Sequence, residues 1–143
     1  MQIDHVAHIC RDPRRTHEFY AGVLGLNLTN TYAGEALMIM YALPGGGSLV
    51  FTTGERSMHT PPKDWERQHV GLTVETRAEF DGWLQTLRKH GIECRVLDDE
   101  RIYFSDPDGL ILEIELASTN APDPAAVEVL EAWLRARHKP PSQ

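Results

Sequence analysis

Apolar residues recur along this chain with two different periods, and the order of those periods is the same in both halves. Each half opens on a run that predicts a β-strand, continues with apolar residues at helical spacing, and ends with three more extended runs. The predicted strands are 3–10, 26–32, 36–43 and 48–53 in the first half, and 68–75, 92–97, 101–105 and 110–117 in the second. A strand-helix-strand-strand-strand unit used twice is therefore predicted, because a fixed internal period outweighs any single propensity.

The helix of each half has signals for its start and its end. In the first half Asp12 reads as an N-cap before a proline, and Gly25 stands where such a helix stops. In the second half Thr76 opens a capping box with Glu79, and Gly91 is the terminator. We expect the two helices to occupy equivalent positions in the two units.

The repeats predict one domain followed by a tail. Repeat one covers about 1–54, a linker 55–67 and repeat two 68–117, within a single domain of residues 1–120. The segment 121–143 is predicted to be a C-terminal helix and tail, with Val127, Leu130 and Leu134 on one stripe. This helix is expected to pack on the body or on a second subunit.

Charge and composition narrow the classes of function. The 143 residues carry a net charge of -7 with scattered basic residues, which argues against nucleic acid and membrane surfaces as partners. No apolar run approaches the roughly 20 residues that span a bilayer, and no signal segment opens the chain, so the cytoplasm is the expected compartment. The 2 cysteines show no metal-type spacing and are expected to be reduced.

Three residues of metal-ligand type lie on three predicted strands. His5 and His69 occupy equivalent positions in the first strand of each repeat, and Glu113 lies on the last strand. Imidazole nitrogen and carboxylate oxygen suit Fe, Mn, Ni, Co or Zn, and three protein ligands leave positions open for a substrate. Any one of them alone would more often be structural, but all three share the faces opposite the apolar rows that helices would cover. We therefore expect these three side chains to meet in one cavity.

Four further residues are candidates for contact with a substrate. Glu115 shares the face of Glu113, where it would act as a base or simply face solvent, and Thr73 shares the face of His69. Arg101 would hold an anionic group or remain a solvated edge charge. Phe51 is predicted to lie opposite Glu113, from an alignment of the turn glycines of the two halves. His59 in the linker is read as a surface histidine, with an acid-base role as the less favoured alternative.

Several motifs together resemble the vicinal oxygen chelate superfamily, which includes glyoxalases, extradiol dioxygenases, fosfomycin-inactivating transferases, methylmalonyl epimerases and bleomycin-binding proteins. The motifs are IDHV at 3–6, FY at 19–20, VLGL at 23–26, and YFSDPDG at 103–109 leading into LE at 112–113. The resemblance covers about residues 3–116. It implies an α+β fold in which two βαβββ repeats form an open, strongly curved eight-stranded mixed sheet, an incomplete barrel with helices outside.

The resemblance also implies roles for particular residues. His5, His69 and Glu113 would be the metal ligands, and Tyr103 would place its hydroxyl near the substrate. Glyoxalase-type members add a fourth ligand where this chain is aligned to offer Phe51, which counts against a glyoxalase I activity. Dioxygenase-type and fosfomycin-type members, with two histidines and one glutamate, resemble the chain better.

The function that follows is a metal-dependent enzyme acting on a small, oxygen-rich substrate, with dioxygenase-like or lyase/transferase-like chemistry. The alternative is a non-catalytic drug- or metabolite-binding protein of the bleomycin-resistance type, although that branch typically lacks the triad. A homodimer is expected. Whether the halves pair within one chain or across a dimer stays open.

Overall fold

The computed structural model describes residues 3–55, 69–117 and 124–137, and within them the predicted order of elements is confirmed. The first repeat comprises β1 (His5–Cys10), α1 (Pro13–His17) with a π-helical continuation (Glu18–Val23), β2 (Asn27–Ala33), β3 (Leu37–Ala42) and β4 (Ser48–Thr53). The second comprises β5 (Val70–Val74), α2 (Arg77–Lys89), β6 (Arg95–Leu97), β7 (Arg101–Ser105) and β8 (Ile111–Leu116), and α3 (Ala126–Arg137) follows. His59 of the predicted linker lies outside the described residues.

The strands form two four-stranded mixed sheets with the same topology. Their orders are β1-β4-β3-β2 and β5-β8-β7-β6, with the first pair of each sheet parallel and the other pairs antiparallel. The α+β class with two βαβββ repeats and no closed barrel is thus confirmed, with the eight strands divided equally between two sheets. β1 and β5 are edge strands of their sheets, and each leaves one row of backbone groups without a strand partner within the described residues.

Both helices begin and end where their signals predict. Asp12 accepts a hydrogen bond from the backbone N–H of Arg14 at 2.9 Å. Thr76 caps α2 in a complete capping box with its glutamate. Gly25 and Gly91 follow the two helices with φ of +68° and +69°, a conformation that L side chains rarely adopt.

The first helix differs from the prediction of one regular helix to Leu24. From Glu18 onward its turns widen to the π form, and the N–H of Leu24 donates to the carbonyl of Phe19 at 3.0 Å. Both Phe19 and the adjacent Tyr20 are buried in this segment. Apolar spacing does not distinguish such a segment from an α-helix.

One hydrophobic core joins the two repeats through the helix-covered faces of both sheets. The rings of Phe19 and Phe104 lie 6.3 Å apart, and the Tyr20 hydroxyl donates to Asp106 Oδ2 at 2.9 Å. Leu112 and Ile114 of β8 belong to this core, as the apolar alternation predicts. The faces opposite this core carry the candidate functional residues.

The predicted position of Phe51 is wrong. Its side chain is 1% exposed and packs in the core, with its ring centroid 4.4 Å from that of Tyr20. In the strand register Val50 lies beside Ala7, just as Glu113 lies beside Gly71. Val50 is therefore the equivalent of Glu113, and Phe51 points to the opposite, helix-covered face.

The C-terminal helix α3 does not bury its apolar stripe against the described part of the body. Its five large apolar residues are exposed: Val127 by 67%, Val129 by 61%, Leu130 by 56%, Trp133 by 52% and Leu134 by 41%. No helix in the described part of the chain is both long and apolar enough to cross a lipid bilayer.

Candidate functional site

The second sheet gathers most of the candidate residues on its helix-free face. Glu113 on β8 lies between Gly71 on β5 and Tyr103 on β7 in the strand register. The next row of the same face contains Thr73, Glu115 and Arg101. Two rows of polar side chains thus run across three neighbouring strands.

Glu113 and His69 form the centre of this face. His69 Nε2 lies 3.4 Å from Glu113 Oε2, and the glutamate is only 4% exposed although it is a carboxylate. The ring of Tyr103 meets the imidazole edge to face, with centroids 5.5 Å apart and planes at 80°. A buried carboxylate beside an imidazole is a costly arrangement that needs a compensating charge or hydrogen bond.

Tyr103 supplies one such hydrogen bond. Burial raises the pKa of Tyr103 to about 12, and its hydrogen bond with Glu113 and the glutamate's negative charge act in the same direction. The phenol therefore stays protonated at neutral pH and donates to the carboxylate. This contact connects the aromatic ring that packs on His69 with the carboxylate beside it.

The second row has a mixed character. Arg101 Nη2 lies 2.5 Å from Asp98 Oδ2 in the β6–β7 turn, so a carboxylate already accompanies the guanidinium that was predicted to hold an anionic group. Glu115 lies beside Arg101 in the register and is half-buried. Thr73 is exposed at the edge of the sheet. These side chains flank the His69–Glu113 pair on one side.

His5 does not join this pair within the chain. It lies on β1 of the other sheet with its side chain 51% exposed, and its Nδ1 is 2.8 Å from Asp4 Oδ2. In the described part of the chain no group of three or more His, Cys, Asp or Glu side chains is arranged to hold a metal ion. The prediction that His5, His69 and Glu113 converge within one molecule is therefore wrong.

The structure adds residues that the sequence interpretation did not single out. Asp4 contacts the imidazole of His5 as a carboxylate that orients a metal-binding histidine does, and the signal for it was the Asp-His pair itself. Asp98 pairs with Arg101 across a tight turn and was not predicted. Asp98 and Asp99 both adopt positive φ, which sequence alone does not reveal for a non-glycine pair.

The donor set of the pair fits a first-row divalent ion, but it is incomplete. Imidazole nitrogen and carboxylate oxygen are ligands that Mn, Fe, Co, Ni and Zn accept. One chain offers two of them, His69 and Glu113, whereas an open catalytic site commonly has three protein ligands. A third ligand must come from outside the described part of this chain.

The comparisons with known proteins agree with the fold. The family model of the Glyoxalase/Bleomycin resistance protein/Dioxygenase superfamily matches residues 2–114. A comparison with curated proteins finds no match.

Solved structures with the same fold include two fosfomycin resistance proteins. FosX from Listeria monocytogenes is 15% identical with a TM-score of 0.66 over 81% of this chain and 91% of that chain. FosX from Mesorhizobium loti is 20% identical with a TM-score of 0.65 over 91% and 97% of the two chains. A glyoxalase/bleomycin resistance protein/dioxygenase domain from Frankia sp. is 24% identical with a TM-score of 0.65 over 81% and 97%.

Proposed function

Because the chain belongs to the Glyoxalase/Bleomycin resistance protein/Dioxygenase superfamily, we propose that it is an enzyme that binds a divalent metal ion and acts on a small, oxygen-rich molecule. The ligands proposed are His69 and Glu113 together with His5. Either a dioxygenase-like or a lyase/transferase-like reaction is compatible with this ligand set.

The observation that carries the proposal is the contact between His69 Nε2 and Glu113 Oε2 on a helix-free sheet face. A carboxylate that is 4% exposed and lies beside an imidazole is expensive to keep without a cation. In addition, FosX from Listeria monocytogenes, which shares the fold, is known in a complex with Mn(II) and 1S,2S-dihydroxypropylphosphonic acid. The same class of ion is therefore a reasonable occupant here.

We propose that His5 of a second copy completes the site. His5 lies on β1 and the His69–Glu113 pair lies at β5 and β8, and both β1 and β5 are edge strands with one unpaired side among the described residues. Side-by-side placement of β1 from one copy and β5 from another would bring the third ligand to the pair. A two-fold axis would then build two such sites per dimer.

The residues of the chain have separate tasks around the ion. A bound divalent ion supplies a Lewis acid that polarises substrate oxygens. Tyr103 keeps its proton at neutral pH and donates a hydrogen bond to the carboxylate of Glu113. Arg101 and Thr73 flank the centre as substrate contacts, and Glu115 is the candidate base on the same face.

Metal analysis tests the proposal against the rival of a binding protein that holds a drug or metabolite without metal. Protein purified without chelator is loaded with Mn(II), freed of excess ion and analysed by mass spectrometry for metal. We expect about one ion per chain, and a loss of at least about tenfold in affinity for His69→Gln and Glu113→Gln, since each removes a ligand.

Matched controls distinguish the site from general effects of the substitutions. His90→Gln and Glu93→Gln make the same chemical changes at exposed positions of the second repeat, and both should bind metal like the wild type. Absence of stoichiometric metal in the wild type, or equal binding by site and control variants, would favour the metal-free binding protein.

A further inference from the structure

The α3 helix presents a surface that the enzyme domain does not use. The family match ends at residue 114, and α3 spans Ala126–Arg137. At 3.6 residues per turn, Val127, Leu130 and Leu134 fall on one stripe, and all three are more than two-fifths exposed. An amphipathic helix with an exposed stripe of this kind is stabilised when another surface covers it.

The opposite face of α3 is polar. Glu128, Glu131 and Arg135 lie there, and Arg135 Nη1 is 3.2 Å from Glu131 Oε2 one turn away. Ala132 is exposed on the same side. The helix therefore has one face suited to association and one suited to solvent.

Charges are segregated along the length of this segment. The stretch 123–134 contains three acidic residues and no basic one, and the stretch 135–139 contains two arginines and one lysine and no acidic residue. A parallel partner helix of the same sequence would place acid against acid and base against base. An antiparallel copy would place the acidic end of each helix beside the basic end of the other.

From the exposed stripe and this charge order we propose that α3 docks antiparallel on α3 of a second copy of the chain, around a two-fold axis near Leu130. The interface is isologous, because the same stripe serves both copies. A pair of 12-residue helices is smaller than a standard interface, so the association depends on protein concentration. It is independent of the metal site and lies on a different part of the chain.

Sedimentation of the full-length chain over a range of concentrations tests the docking. Leu130→Glu places a charge in the centre of the stripe on both copies, and Ala132→Glu places the same charge on the polar face. We expect Leu130→Glu to raise the dissociation constant of the concentration-dependent species by about 100-fold or more, since two buried leucines are lost per assembly. Ala132→Glu should sediment like the wild type.

Three results would overturn the proposal. The first is a wild type that shows no concentration-dependent association, and the second is a Leu130→Glu variant that sediments like the wild type, because the stripe is then covered by something other than a second copy. The third is an equal loss of association in both variants, which would mean that the face of the helix is irrelevant.

Disulfide trapping tests the antiparallel orientation. Chains carrying Val127→Cys are mixed with chains carrying Leu134→Cys, and the mixture is mildly oxidised. The antiparallel arrangement predicts a covalent dimer that joins one chain of each kind and little product from either chain alone. Products formed within each single variant, with no mixed product, would indicate the parallel arrangement and contradict the proposal.

Discussion

Glu113 depends on two neighbours that act on it in different ways. His69 lies 3.4 Å from its Oε2, and Tyr103 hydrogen-bonds the same carboxylate while its ring packs on the imidazole. Because the tyrosine is held protonated, it can orient the carboxylate without competing with it for a proton or a charge. The three residues therefore work as one unit at the proposed metal centre.

Removing the Tyr103 hydroxyl should weaken metal binding without unfolding the protein. Tyr103→Phe keeps the ring that contacts His69 and loses only the hydrogen bond to Glu113, so we expect metal affinity to fall by about tenfold, as it does when an outer partner of a ligand is lost. Titration of Mn(II) by calorimetry measures this. Tyr32→Phe, on an exposed strand position, is the matched control, and equal affinities in the two variants would mean that Tyr103 does not support the site.

Phe51 belongs to the energetics of folding rather than to a substrate pocket. Its ring packs against Tyr20 in the core at 1% exposure. We expect Phe51→Ala to lower the free energy of unfolding by about 3–5 kcal/mol, as other truncations of buried phenylalanine do. Urea unfolding followed by tryptophan fluorescence measures the change, and Tyr32→Ala at an exposed position should cost less than about 1 kcal/mol. A near-neutral Phe51→Ala would return this residue to the cavity.

At the scale of elements, the β7–β8 turn connects the repeats as well as its own strands. Asp106 Oδ1 accepts hydrogen bonds from the N–H groups of Asp108 at 2.8 Å and Leu110 at 2.9 Å, and Oδ2 accepts from the Tyr20 hydroxyl. Burial is the main cause that raises the pKa of Asp106, and the hydrogen bonds oppose it. The folded protein therefore binds this proton more tightly than the unfolded chain does.

This shift predicts a pH dependence of stability. A carboxyl with a raised folded pKa stabilises the fold fully below its unfolded pKa, and that contribution is lost as the pH rises through the folded pKa. In Asp106→Asn the amide oxygen can keep both backbone hydrogen bonds and the group does not ionise. We therefore expect the stability of the variant relative to the wild type to increase from about pH 4 to about pH 7.

Urea unfolding of both proteins at the two pH values checks this sign. Other titrating groups are common to the two proteins and cancel in the difference. A difference that stays constant, or that decreases with pH, would show that hydrogen bonding outweighs burial at Asp106.

The elements were predictable where the sequence alternates and failed where it does not. Caps and glycine terminators located both helices, and the apolar alternation in β8 placed Glu113 on the correct face. In β4, however, Leu49, Val50 and Phe51 are all buried, so the sequence offers no polar position to mark the face. The register is decided there by pairing with β1, and an alignment based on turn glycines shifts it by one residue.

At the scale of the whole molecule, equivalence in a repeat did not imply proximity. The sequence placed His5 and His69 at matching positions of two units, and the structure confirms matching strands. The relative placement of the units is set by packing such as that of Phe19 on Phe104, which depends on three-dimensional shape rather than on periodicity. The fold was therefore predictable, whereas the convergence of the three ligands within one chain was not.

A metal centre shared between two copies accounts for the exposed His5, the buried Glu113 and the two edge strands at once. In this arrangement each dimer holds two sites, and each site takes His5 from one chain and His69 with Glu113 from the other. Inactivating substitutions in different chains should therefore complement one another.

The most direct test mixes two defective proteins. His5→Ala and Glu113→Gln chains are each purified, unfolded together in equal amounts, refolded and analysed for bound Mn(II). The account predicts little metal in either protein alone and about a quarter of the wild-type content in the mixture, since random pairing makes half of the dimers mixed and each of these has one intact site. A mixture that binds no more metal than its two components would contradict a site shared between chains.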